Sequence, residues 1–100
     1  MFVYNLTIKV EKEIADDWLS WLKEEHIPEL MQTCTFTDNR VCHLLEQDES
    51  EEVTYVVQYF CSSRVEYEVY TEKYAGEMRQ KSIDRWGSRY FAFRTTMETV

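Results

Sequence analysis

The stretch Val53 to Cys61, VTYVVQYFC, restricts the fold more than any other part of this chain. Val53, Tyr55, Val57 and Tyr59 fall on one side of an extended segment, and Thr54, Val56, Gln58 and Phe60 fall on the other. Successive side chains of a strand point to opposite faces. Bulky residues occupy both sides here, and a strand that is apolar front and back is covered front and back. The segment therefore belongs inside a sheet with helices against one face and a second cover against the other.

The remaining chain supplies the other layers. Phe2 to Val10 alternates, with Phe2, Tyr4, Leu6, Ile8 and Val10 on one face. From about Lys12 the period lengthens: Ile14, Trp18, Trp21 and Leu22 share a helical face, with Asp16, Asp17, Ser20, Lys23 and Glu24 opposite. Ile27 precedes Pro28 and is restricted away from helical dihedrals, so a helix end is expected near His26. Pro28 then opens a short second turn to Gln32. Thr33 to Thr37 and Arg40 to Leu45 read as one interrupted strand, with Asp38 and Asn39 at the break. The acidic run Glu46 to Glu52 is the hairpin loop that follows.

Ser63 with Glu66 has the spacing of a capping box and opens a helical region reaching Trp86. Gly76 interrupts it, so one long helix and two helices meeting near Ala75 both fit. Val65, Val69, Tyr70, Tyr74, Met78 and Trp86 are its expected buried members, and Gly87 suits the positive-φ position after a helix end. Arg89 to Thr96 is the last strand, with Phe91 and Phe93 on one face and Tyr90, Ala92 and Arg94 on the other. The tail to Val100 is expected to fray.

Strand, helix, two strands, helix, strand is the split βαβ order of the ferredoxin-like fold, an α+β sandwich. It predicts a single domain over residues 1–100, with a four-stranded antiparallel sheet in the order 4-1-3-2 and both helical regions on one face. Val56 and Phe60 would then look outward, together with one face of the last strand. A second copy of the sheet is the simplest cover, which predicts a homodimer joined through the sheet face as an α/β barrel. Fifteen aromatic residues are many for one small core, and they favour either that interface or an aromatic-lined cavity.

Charge and composition narrow the partners. Nineteen acidic against eleven basic residues give a net charge of −8, which argues against nucleic acid and anionic membranes. No apolar run approaches the roughly 18 residues of a membrane span, and no leader pattern opens the chain. Cys34, Cys42 and Cys61 are widely spaced and read as reduced thiols, so a cytoplasmic setting is expected.

Four segments, YNLTIKV at Tyr4 to Val10, WLSWLKEEHIPELM at Trp18 to Met31, VTYVVQYF at Val53 to Phe60 and FAFRT at Phe91 to Thr95, carry a resemblance. Together they resemble a family of small bacterial proteins known only as a domain of unknown function, marked by the His26-Ile27-Pro28-Glu29 run. The layout is similar, more distantly, to the dimeric α/β-barrel superfamily. That group includes antibiotic-biosynthesis-type monooxygenases, haem-degrading enzymes, sugar mutarotases and stress-response proteins. The likeness implies the dimer and no single chemistry.

Candidate site residues cluster on the first helix. His26 is either a helix-end histidine favoured by the dipole or a general acid/base at a pocket mouth. Mutarotases carry a histidine shortly before a Pro-Glu step, and Glu25 to Glu29 is similar, although Leu22 stands where a tyrosine would be expected. Glu25 falls in the apolar arc, where it either snorkels past Trp21 or is enclosed as a proton donor. Trp18 and Trp21 are core residues or a stacking wall for an aromatic or sugar-like ligand. Tyr4, Tyr55 and Tyr59 share the helix-facing side of the sheet and are core packing or further pocket wall.

No cofactor or metal is expected. His43 and Cys42 are strand neighbours that point apart. Haem-degrading relatives use an asparagine in the region of Asn5 with a histidine on the second helix, and no histidine follows His43. Two readings result: a ligand-binding or structural homodimer without catalysis, or a cofactor-free enzyme, mutarotase- or monooxygenase-like, using His26 with Glu25. A monomer whose outward sheet face binds a regulatory partner is a third.

Overall fold

The computed structural model describes residues 1–100. Strand β1, Phe2–Glu11, runs through the middle of a four-stranded sheet. It pairs antiparallel with β3, Glu52–Cys61, on one side and with β4, Tyr90–Glu98, on the other. The edge strand β2, Asp38–His43, pairs with β3, giving the order β2-β3-β1-β4. This is the expected ferredoxin-like α+β topology. Between the strands lie α1, Ala15–Trp21, and α2, Ile27–Met31, and later α3, Arg64–Lys73, and α4, Ala75–Trp86.

Period-two patterning sets the register. Tyr4 stands opposite Tyr59, and Ile8 opposite Tyr55 and Ala92, so the apolar residues of β1 and β3 meet on the helix side. Val10, Val57 and Tyr59 are completely buried there, and Trp18 and Leu30 close over them from the helices. Each such side chain contributes roughly 1.5–3 kcal/mol by leaving water.

The other face carries no helix. A hydrogen-bonded polar row crosses it strand by strand. Arg40 of β2 donates from Nε to Gln58 Oε1 of β3 at 3.1 Å, Gln58 Nε2 donates to Asn5 Oδ1 of β1 at 3.1 Å, and Asn5 Nδ2 donates to Thr95 Oγ1 of β4 at 3.1 Å. Apolar residues flank the row, and Phe91 and Phe93 are about half exposed, at 57% and 50%. Of the two faces that the alternation of the last strand left open, the one with Phe91 and Phe93 is the outward one.

Four local expectations need correction. First, the helix does not end at His26. Ile27 is helical at φ −61° and ψ −46°, and a π turn at Leu22–His26 joins α1 to α2. There the Ile27 N–H donates to Leu22 O, five residues back, and this wider turn accommodates the ring and missing N–H of Pro28 that would strain a regular helix. Second, Thr33 to Thr37 is not a strand. Thr33 Oγ1 donates to Leu30 O at 2.7 Å, the Thr33 and Thr35 hydroxyls lie 2.8 Å apart, and Cys34 adopts φ 60°. These local bonds satisfy the chain without a ladder, and Asp38 and Asn39 begin β2 rather than breaking it.

Third, Val65 is 64% exposed, whereas Tyr70 on the same helix is buried as expected. Fourth, the capping pair forms side chain to side chain: the Ser63 hydroxyl donates to the Glu66 carboxylate, and Ser63 makes no hydrogen bond to the helix backbone. The two-helix alternative holds, with the break at Tyr74. Gly87 has φ 62°. No helix is long and apolar enough to cross a membrane.

Candidate ligand cavity

Between the helices and the β1–β4 half of the sheet lies a cavity of about 370 Å³. Its floor is Tyr4, Leu6 and Ile8 of β1 with Tyr90, Ala92 and Arg94 of β4. Trp18, Trp21, Leu22, His26 and Leu30 line it from the first helical run, and Ala75, Met78, Arg79, Ser82 and Ile83 line it from α4. Fifteen of the twenty lining residues are hydrophobic, so the space suits an apolar body.

The π turn places His26. Its imidazole stacks on Trp21 with ring centroids 4.5 Å apart and planes 23° from parallel, and Trp86 meets Trp21 edge-on at 6.0 Å. Burial pushes the His26 pKa down to about 4; the Glu29 carboxylate pulls it upward and the Lys81 ammonium pushes it further down. Glu29 and Lys81 are ion-paired with each other, tying α2 to α4 beside the ring. The imidazole is therefore neutral near pH 7 and can accept or share one hydrogen bond.

Tyrosines fill the far end. Tyr4 stacks near Tyr59 at 6.0 Å and meets Tyr70 at a tilt of 47° and 5.8 Å. Burial raises the phenol of Tyr4, and the positive charge of Arg94 draws it partly back. Tyr70 is raised by burial and by Tyr4, with Arg79 and Arg94 opposing. Burial likewise raises Tyr59, whose hydroxyl has no hydrogen-bond partner within the protein; nor has the buried indole N–H of Trp18.

Of the residues singled out from sequence, the cavity brings together His26, Trp18, Trp21, Tyr4 and Tyr59. It does not bring in Tyr55, which packs on Trp18 at 5.5 Å away from the lining. Glu25 is exposed and also outside the lining. In the π turn Leu22 and Ile27, five apart, are the buried pair, and Glu25 falls off that face. Sequence reasoning missed Arg79, Arg94 and Tyr70 as wall residues. The signal existed for Arg94, which alternates with Tyr90 and Ala92, and for Arg79, one turn after Ala75 on α4. No three His, Cys, Asp or Glu side chains converge as a metal group would require.

Residues 1–100 match the model of a family described as Domain of unknown function (DUF4286). Among solved structures, the chain is similar to an ethyl tert-butyl ether degradation (EthD) family protein from Bacillus halodurans C-125. The identity is 12%, the TM-score is 0.68, and 100% of each chain is covered. It is also similar to the de novo designed protein Foldit4, at 12% identity and a TM-score of 0.50, covering 99% of this chain and 98% of that one. At such identities the likeness is one of fold. No curated protein matches the sequence.

Proposed function

This chain belongs to the DUF4286 family, and we propose that it binds a small molecule with an apolar, aromatic body in the cavity between its sheet and helices. The observation that carries this reading is the cavity itself. Its 370 Å³ lies within the roughly 300–1,000 Å³ of small-molecule sites, and its wall is mostly aromatic and aliphatic with few polar groups. Trp21, already stacked on His26, offers a flat surface to a planar ring.

Binding fits these residues better than catalysis. A general base works best with a pKa near the working pH, and His26 at about 4 is a weak one. Glu25, its expected partner, stands exposed outside the cavity. We further propose that two copies join through their helix-free sheet faces in a cytoplasmic protein. Exposed Phe91, Phe93 and Met97 support the pairing, and three unpaired cysteines support the compartment.

The test is thermal denaturation with 2-naphthamide and 2-naphthoate, on the wild type and on Ala92→Trp, which fills the cavity from its floor. A ligand of the native state raises Tm. At least one probe should raise the wild-type Tm by several degrees, since roughly 4–8 °C corresponds to 1 kcal/mol in a domain this size. Ala92→Trp should abolish the shift. If neither probe moves the wild type, or both move the filled variant equally, the cavity is not a binding site.

A further inference from the structure

The cavity has a sign. Its five residues outside the hydrophobic set are His26, Arg79, Ser82, Gly87 and Arg94, and none is acidic. That is a strong bias in a chain where acidic residues outnumber basic ones by nineteen to eleven. Twenty residues drawn evenly from this chain would include several carboxylates. Two arginines from different elements, α4 and β4, instead face one space, and the wall holds nothing to neutralise them.

Neither guanidinium is ion-paired, and Arg94 reaches only the Tyr4 phenol for a hydrogen bond. The ion pairs of this protein engage His43, Arg64, Lys81 and Arg89, and neither Arg79 nor Arg94 takes part in any of them. Both arginines are exposed residues that also line the cavity, so they stand at its open side. Their charges reach the phenols of Tyr4 and Tyr70 at the inner wall. The cavity therefore has hydroxyl donors inside, cationic forks at the opening and an apolar wall between. A neutral hydrocarbon would leave both forks without an anionic partner, and a cationic ligand would be repelled.

We propose that the ligand is an anion, a carboxylate carried on a planar apolar body, with the carboxylate held by Arg79 and Arg94 and the body against Trp21 and the tyrosines. Guanidinium presents paired N–H donors matched to the two oxygens of a carboxylate. The proposal rests on the cavity being a binding site, as argued above, and adds the class of molecule it takes.

Calorimetric titration at pH 7.5 and low salt, with 2-naphthoate and its neutral isostere 2-naphthamide, tests it. The proteins are the wild type, Arg79→Gln, Arg94→Gln, the double variant, and Arg85→Gln as a control on the same helix outside the wall. The wild type should bind naphthoate roughly tenfold to a hundredfold tighter than naphthamide. Each single substitution should lower that ratio and the double variant should bring it close to one, with naphthamide affinity unchanged and Arg85→Gln like the wild type. Equal affinity for the two probes in the wild type overturns the anion assignment and leaves the cavity reading standing. So does a preference for naphthoate that survives in the double variant. If neither probe binds, the cavity reading and this inference fall together.

Discussion

Replacing His26 with phenylalanine should make the stability of this protein less sensitive to acid, by an amount set by the burial of one imidazole. An unperturbed histidine titrates near pH 6.5, and His26 in the folded protein does so at about 4. Above pH 6.5 the ring is neutral in both folded and unfolded chains and contributes no slope. Between 6.5 and about 4 the unfolded chain takes up a proton that the folded protein refuses, so stability falls as pH falls. At 1.36 kcal/mol per pKa unit the complete loss is roughly 3 kcal/mol, and about 2 kcal/mol of it is spent by pH 5. Phenylalanine keeps a flat ring against Trp21 and cannot titrate. Urea unfolding of both proteins at pH 7.5 and pH 5 isolates this effect, because the many carboxylates are common to the two. The difference in unfolding free energy, variant minus wild type, should rise by about 2 kcal/mol from pH 7.5 to pH 5. A difference that stays constant to within about 0.5 kcal/mol would mean that His26 is solvated and that the stacked, enclosed ring is wrong.

The two glycines should respond in opposite directions. A Cβ at either would meet no atom within 4 Å, so backbone conformation alone decides. Gly87→Ala, forced to φ 62°, should cost roughly 1–3 kcal/mol, whereas Gly76→Ala on α4 should gain roughly 0.5–1 kcal/mol; equal effects in chemical denaturation would refute the assignment. Phe93→Glu, midway along the edge strand β4 on the bare sheet face, should halve the mass seen by light scattering at micromolar concentration and leave the circular dichroism unchanged. A wild type that is already monomeric removes the sheet-to-sheet dimer.

Much of the architecture was written in local periodicity. Strand alternation gave β1, β3 and β4 their faces, but which face of β4 looks outward was settled only by its pairing with β1. The strand order followed from the order of elements and the handedness rules of such folds. What failed were places where one local rule met a competing one. The residue before proline is biased away from helical geometry, yet Ile27 is helical and buried in the core, and the turn closed five residues back makes room for the ring of Pro28 against the preceding carbonyls. Thr33, Thr35 and Thr37 have the side chains of strand formers, yet their hydroxyls found partners on α2, within the same loop or on β3. The cavity was half legible. Trp18, Trp21, His26, Tyr4 and Tyr59 stood out because aromatic and imidazole groups are conspicuous at helical and strand spacings. Arg79 and Arg94 did not, because an isolated arginine on an amphipathic element is read as its wet side. Only the tertiary arrangement shows that two wet sides open onto the same hollow.

The wide turn before Pro28 has a consequence for how this wall can change over time. It amounts to one residue more than an ordinary helix would hold, so removing a single residue from Lys23 to Glu25 would restore regular winding. Leu22 and Ile27, five apart and both buried, would become four apart, a spacing that keeps two residues on one face of a regular helix. Ile27 and Leu30, which anchor the core, would keep their seats on the sheet, and only the turn that carries the histidine ring would be rebuilt. The extra residue is thus absorbed where it stands: the interior is indifferent to it, and what it sets is the path of Lys23 to His26 along the wall of the hollow.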